Sequence, residues 1–249
     1  MLRVQEFLPT ATVTVCGMTS TLPSSVEAEV ESLWLAEQQR RGKFLFNGQI
    51  LSAVSISSER IIGRVVEYRH LIAQRARPDL FDHLMVRPVA VSGLFKCADG
   101  IVFGRRSGTM TQDAGLWELV PSGGIDTSKG IKEGGEIDYR AQIIAELQEE
   151  IGIDPSSVSL VRPFCLVEDP VSHVLDIGIA LVSPLSYDSV RRVHHETAKK
   201  EYDELCVIPS TELDSFVKDK KSELVCVSRM LIEHFHGHVL AEALAAASA

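Results

Sequence analysis

The stretch AELQEEIGI, residues 145–153, carries the decision about this chain's fold. Glu146 and Glu149 stand three apart, and Glu146 and Glu150 four apart. A helix with about 3.6 residues per turn therefore gathers the three carboxylates onto one face. Ile144, Leu147 and Ile151 recur at i, i+3 and i+7, the stripe that docks a helix on a sheet. Gly152 follows as a stop signal. Like charges at these spacings repel by about 0.2–0.5 kcal/mol per pair, and no Lys or Arg stands one turn away within the cluster to offset this. A hard divalent cation such as Mg²⁺, which prefers carboxylate oxygens, would do so. The plainer alternative is a solvated acidic face.

Working outward, Pro121-Ser122-Gly123-Gly124 reads as a tight turn whose carbonyls can face the same cation, and Gly134-Gly135-Glu136 leads into a helix expected from about Asp138 to Ile151. Upstream, PVAVSGLFKCADGIVFGRRS (88–107) reads as two strands joined at Asp99-Gly100. Downstream come strands near 158–167 and 173–183, then a strand and short helix in ELCVIPSTELDSFVKD (204–219) and a helix from about Ser222 to Phe235. At the other end, ATVTVC (11–16) reads as a strand, Val26–Arg41 as a helix stopped by Gly42, and GQILSAVSIS with RIIGRVVEY as a hairpin around Ser58-Glu59. The Pro-containing stretch 76–88 is the expected hinge. The reading is an α+β fold, with a small N-terminal α+β region at 1–85 and a main domain at 86–249.

Composition narrows the function classes. Hydrophobic residues make up 45% of the 249 and charged ones 24%, ordinary for a globular protein. No apolar run approaches the roughly 20 residues of a membrane span, and the start lacks the pattern of a secretion signal. Five scattered cysteines without a Cys-x-x-Cys pair are expected to be reduced and buried, in a cytoplasmic protein with no membrane partner. A net charge of −9 argues against nucleic acid as the main partner. An acidic protein still binds a phosphorylated small molecule when a divalent cation bridges its carboxylates to the phosphate oxygens.

Gly124, Glu136 and the string Glu146-Leu147-Gln148-Glu149-Glu150-Ile151-Gly152-Ile153 together resemble the Nudix box, in which a glycine, a glutamate and an Arg-Glu-apolar-x-Glu-Glu-x-Gly-apolar string occur in order. The resemblance implies a Nudix α/β/α sandwich with a mixed sheet. It also implies a metal-dependent pyrophosphohydrolase acting on a nucleoside diphosphate-linked small molecule, with two or more Mg²⁺ (or Mn²⁺) ions. It assigns Glu149 and Glu150 as ligands, assisted by Glu146 and the Gly123 carbonyl. Glu146 is the first candidate for the base, and Glu168 in CLVEDP is the second. The box departs from the pattern at Ala145, where the family has an arginine that helps hold a catalytic glutamate, and in longer spacings on either side of Glu136. Arg140 is a nearby candidate to replace that arginine.

Outside the box, Trp34, Phe46-Asn47-Gly48, Leu51-Ser52-Ala53, Glu67-Tyr68-Arg69 and Phe103-Gly104-Arg105-Arg106-Ser107 are similar to the vertebrate UDP-glucose pyrophosphatase branch of the family and its plant relatives. That branch implies cleavage of UDP-glucose to UMP and glucose 1-phosphate. The alternatives are an ADP-ribose or dinucleotide pyrophosphatase, and a Nudix-fold binding module without catalysis. Strand alternation sends one of Arg105 and Arg106 inward, toward a phosphate or sugar or into an ion pair. Residues 1–85 are expected to wall the nucleoside or sugar site, with Tyr68 and Arg69 as contacts, or else to cover a sheet edge or build a homodimer in place of a monomer. His234, His236 and His238 alternate but read as ordinary packing, not a metal site.

Overall fold

The computed structural model describes residues 2–18, 21–41, 45–110, 112–127, 131–196 and 201–235. In chain order its strands are β1 (Arg3–Glu6), β2 (Thr12–Met18), β3 (Gln49–Ile56), β4 (Arg60–Glu67), β5 (Val89–Cys97), β6 (Gly100–Arg106), β7 (Trp117–Leu119), β8 (Ser122–Gly124), β9 (Glu136–Ile137), β10 (Leu160–Glu168), β11 (Leu175–Val182) and β12 (Tyr202–Ile208). Its α-helices are α1 (Ser24–Arg41), α2 (Tyr68–Ala76), α3 (Phe81–Leu84), α4 (Tyr139–Glu146), α5 (Tyr187–Glu196), α6 (Leu213–Asp219) and α7 (Cys226–Phe235).

Among the described residues eight strands form one sheet, with the path β1-β10-β11-β5-β6-β12 and with β7 on β6 and β8 on β5. The β5–β11 pair is parallel and its neighbours are antiparallel, so the sheet is mixed. Four further strands form a second sheet, β3-β4-β2-β9. The turn at Gly100 shows why glycine stands there: φ is +153°, and a Cβ would lie 2.4 Å from the Ile208 carbonyl oxygen.

The large sheet is covered on both faces. Val89, Val91, Phe95, Val102, Ile177 and Ile179 share one core with Ile143 of α4, Val190 of α5 and Val13, Leu51 and Ile61 of the small sheet. Leu94, Ile101, Phe103 and Val167 share the opposite core with Leu213 and Val217 of α6 and Leu231, Ile232 and Phe235 of α7. The fold is α+β, with helices on both sides of a mixed sheet. Among the described residues no helix is long and apolar enough to cross a membrane.

The segments on either side of residue 85 exchange strands. β1 pairs with β10 in the large sheet, and β9 pairs with β2 in the small one. The backbone of β3 also bonds Arg87 and Ile125. The 48–68 hairpin and the 24–41 helix form as their patterns predict, whereas α2 carries no strong sequence signal and α5, though amphipathic, stands where no helix is expected. All five thiols are free. Cys97 and Cys165 are buried as expected, but Cys16 and Cys226 are exposed because β2 and α7 turn those positions outward. Gly42, the tail 240–249, His236 and His238 lie outside the described residues; His234 is exposed beside the buried Phe235.

β12 packs against β6 at a glycine. A Cβ on Gly104 would fall 2.4 Å from the Tyr202 ring and 2.8 Å from Val120. Gly104→Ala is expected to lower unfolding free energy by about 1–3 kcal/mol through overpacking, read from urea denaturation. An unchanged midpoint would mean that the ring moves aside freely.

Candidate active site

The acidic helix forms where its sequence places it. Asp138 caps α4, accepting from the Ala141 N–H at 3.0 Å, and Gly152 closes it at φ +85°. The last turn, Leu147–Ile151, is wound as a π helix, whose hydrogen bonds span five residues. Burial still follows the ordinary helical stripe, i, i+4, i+7 and i+8 from Ile143. Ile143, Leu147 and Ile151 form the buried stripe, with Ile144 only half-buried. Of the three glutamates expected on one face, Glu149 is exposed, Glu146 is half-buried and Glu150 is only 3% exposed.

The glycine-rich segment differs from its expectation in a useful way. Ser122–Gly124 is a strand paired with Ala90–Ser92 of β5, not a tight turn. Glu146 explains Gly123, where a Cβ would stand 2.5 Å from the carboxylate carbon and Oε1 of that residue. The glycine lets the helix carboxylate rest directly on the strand backbone. Gln142 orients the same carboxylate, donating to Glu146 Oε1 at 2.6 Å.

Beneath α4 lies a set of polar side chains that sequence reasoning missed. Glu150 Oε2 accepts from the Ser122 N–H at 3.2 Å and from the Tyr202 hydroxyl at 3.1 Å. Tyr202 also reaches Glu118 Oε1 at 2.9 Å, and the Ser122 hydroxyl lies 3.4 Å from the same oxygen. Arg106 is the inward arginine. It pairs closely with Glu118 and lies 3.4 Å from Glu201 Oε1. Arg105 is half-exposed, with Glu204 at 4.0 Å. Alternation along β6 foretold one arginine in and one out; Glu118, Glu201 and Tyr202 lie far from the box in sequence and carried no motif.

Among the described residues Glu201, Glu146 and Glu118 act on Glu150, and Arg106 offsets Glu118. Burial, then the charges of Glu201, Glu146 and Glu118, push the Glu150 carboxyl well above the ordinary carboxylate range, with the Ser122 N–H opposing. Glu118 is raised by burial despite Arg106 and Tyr202. Burial works against the Arg106 charge, yet Glu118 and Glu201 outweigh it and leave that group raised. Among the described residues, hard oxygen donors gathered in this way fit a divalent ion such as Mg²⁺ or Mn²⁺ in donor type. Among the described residues no three His, Cys, Asp or Glu side chains are grouped tightly enough to enclose one, so the fit is one of donor type.

Two sequence candidates lie elsewhere. Glu168 is held by Arg87 at 2.7 Å, with Arg3 at 3.9 Å. Its strand is separated from the Gly124–Ile125 backbone by β11 and β5, three strand spacings or about 14 Å. Arg140 does not stand in for the missing box arginine, because its guanidinium bonds the Pro9 carbonyl and lies 4.5 Å over the Tyr139 ring.

Beside Gly124 a cavity of about 530 Å³ opens, lined by Phe46, Asn47, Ile50 and Tyr68 on one side and by Gly124 and Asp126 on the other. Tyr68 thus lines this cavity. Arg69 does not, for its guanidinium is spent on Glu27, Glu31 and Glu67.

No family model matches the chain, and no curated protein matches it. Solved structures do resemble it. A protein of Deinococcus radiodurans is 12% identical, covering 74% of this chain and 98% of its own at a TM-score of 0.46. The MutT protein of Methanosarcina mazei is 19% identical, with 60% and 92% covered at 0.35. A bifunctional NMN adenylyltransferase/ADP ribose pyrophosphatase of Francisella tularensis is 17% identical, with 69% and 48% covered at 0.42. At such identities and scores the chemistry rests on the geometry of the site itself.

The raised Glu150 has a consequence for stability. Below the unfolded value near 4.5 the group is neutral in both states. As pH climbs from there toward the raised folded value, the folded protein holds a proton that the unfolded chain releases, so stability falls. Metal-free Glu150→Gln lacks this loss. Its Tm is expected to exceed that of the native chain at pH 7.5, with the gap closing near pH 4. An equal or lower Tm at pH 7.5 would place the Glu150 carboxylate in water.

Proposed function

We propose that this chain is a metal-dependent pyrophosphohydrolase of the Nudix type, cleaving a nucleoside diphosphate-linked compound, with UDP-glucose or a related UDP-sugar as the preferred substrate and UMP and sugar 1-phosphate as products. The reading is carried by the contact of Glu146 with the Gly123 backbone and by Glu150 buried one turn on, close to Glu118 and Glu201. Glu149 and Glu150 would hold the ion, with Glu146 and the Gly123 carbonyl beside them. A bound Mg²⁺ or Mn²⁺ supplies charge neutralisation on the phosphate oxygens and lowers the pKa of a water.

The chain's own groups supply the rest. Glu146, held by Gln142 and pressed on Gly123, is the group placed to accept a proton from the attacking water. Glu168 is the weaker candidate, since it is held by Arg87 on a strand three spacings from β8. Arg106 compensates Glu118 and Glu201, which suits it to organising the site more than to meeting substrate phosphate. The neighbouring cavity has the size and the aromatic lining for a nucleoside. Phe46, 83% exposed at its edge, offers a ring face for a planar base.

Glu149→Gln and Glu150→Gln are each expected to lower kcat on UDP-glucose with Mg²⁺ by about a hundredfold or more while leaving the circular dichroism spectrum unchanged. Near-native rates in both would remove the metal assignment. Ala145→Arg is expected to change the rate little, because position 145 is exposed and Glu150 is buried with its own donors. Phe46→Ala should raise KM with kcat preserved, the signature of lost substrate binding. UDP-glucose and ADP-ribose run side by side test the substrate: a higher kcat/KM on ADP-ribose would replace the UDP-sugar reading.

A further inference from the structure

We propose that Tyr202 is the positioning residue for Glu150, its phenol hydroxyl fixing the plane of that carboxyl. The inference rests on the pyrophosphohydrolase reading for its meaning and on side-chain geometry for its content. Tyr202 is fully buried, and its hydroxyl lies 3.1 Å from Glu150 Oε2 and 2.9 Å from Glu118 Oε1. A phenol carries one proton and donates to one acceptor at a time. Glu118 Oε1 already has the Arg106 guanidinium and the Ser122 hydroxyl. The contact to Glu118 is the shorter, but Glu118 has these other donors, whereas Glu150 has besides the phenol the Ser122 N–H.

Both donors to Glu150 meet the same oxygen, Oε2. They fix the plane of the carboxylate from one side and leave Oε1 out of both bonds. Both are also neutral, so they orient the group without cancelling its charge, whereas an arginine would orient it and neutralise it together. A ligand carboxyl held this way is already oriented for a divalent ion. The phenol in turn cannot swing. Gly104 lies flat under the ring, β12 is registered on β6 with Tyr202 opposite Arg106, and Arg106 anchors Glu118 on the far side. The basic candidate nearest in sequence, Arg140, is turned away to Pro9.

Tyr202→Phe removes the hydroxyl and keeps the ring. Mn²⁺ binding to the substrate-free protein, followed by the electron paramagnetic resonance signal of free Mn²⁺, is expected to weaken by about 10–100-fold. On UDP-glucose, kcat should fall over a similar range while KM stays near its native value. In a Glu150→Gln background, the same substitution should weaken Mn²⁺ binding no further, because the group it acts through is gone. Mn²⁺ affinity within about twofold of native in folded Tyr202→Phe, or losses that simply add in the double variant, would overturn the proposal and leave Tyr202 as a packing residue. A native protein that binds Mn²⁺ but hydrolyses neither UDP-glucose nor ADP-ribose would defeat the proposed function instead, and the two Mn²⁺ comparisons would still decide the role of Tyr202.

Discussion

Glu150 is 3% exposed, and a carboxylate at that depth is costly unless polar partners replace its water. The structure replaces them from three directions: the β8 backbone through the Ser122 N–H, β12 through the Tyr202 hydroxyl, and the Glu118–Arg106 pair behind both. Each of these requires the others. The phenol fits because Gly104 has no side chain, and α4 comes close to β8 because Gly123 has none. Two glycines on different strands thus let an acidic helix lie on the sheet with one carboxylate inside.

The same arrangement crowds carboxylates together. Arg106 pairs with Glu118 and Glu201, while Glu146 adds to the repulsion on Glu150. Strand β8 beside them ends at Gly124, in the wall of a cavity also lined by Phe46 and Tyr68. The cavity itself depends on the exchange of strands between the two parts of the chain, because β3 runs along the Arg87 and Ile125 backbone. Residues 1–85 contribute to the shared core and to the cavity wall at once.

The sequence by itself determined the elements whose signals are local. Asp99-Gly100, the 48–68 hairpin, the 24–41 helix and the acidic helix closed by Gly152 are all written in short-range patterns, since turns, caps and periodicity depend on residues a few positions apart. The carboxylate triplet and the mixed α+β class follow from the same patterns. Short elements stabilised by distant partners left no such trace. β1 exists because β10 offers it an edge, and β9 because β2 does.

Tertiary structure alone decided which of the glutamates went inside. At about 100° per residue Glu150 lies next to Ile143 and Leu147 on the helix and Glu149 lies a further ~100° round, so docking the Ile143 stripe on the sheet takes Glu150 in and leaves Glu149 out. It also decided that Arg106 pairs while Arg105 faces water, that Arg69 and Arg140 are spent on structural partners, and that Tyr202 stands under the acidic helix. None of these is a property of a short segment. Each depends on which strand lies beside which, and on burial energies that exist only once the sheet has brought residues 104, 118, 123, 150 and 202 within reach of one another.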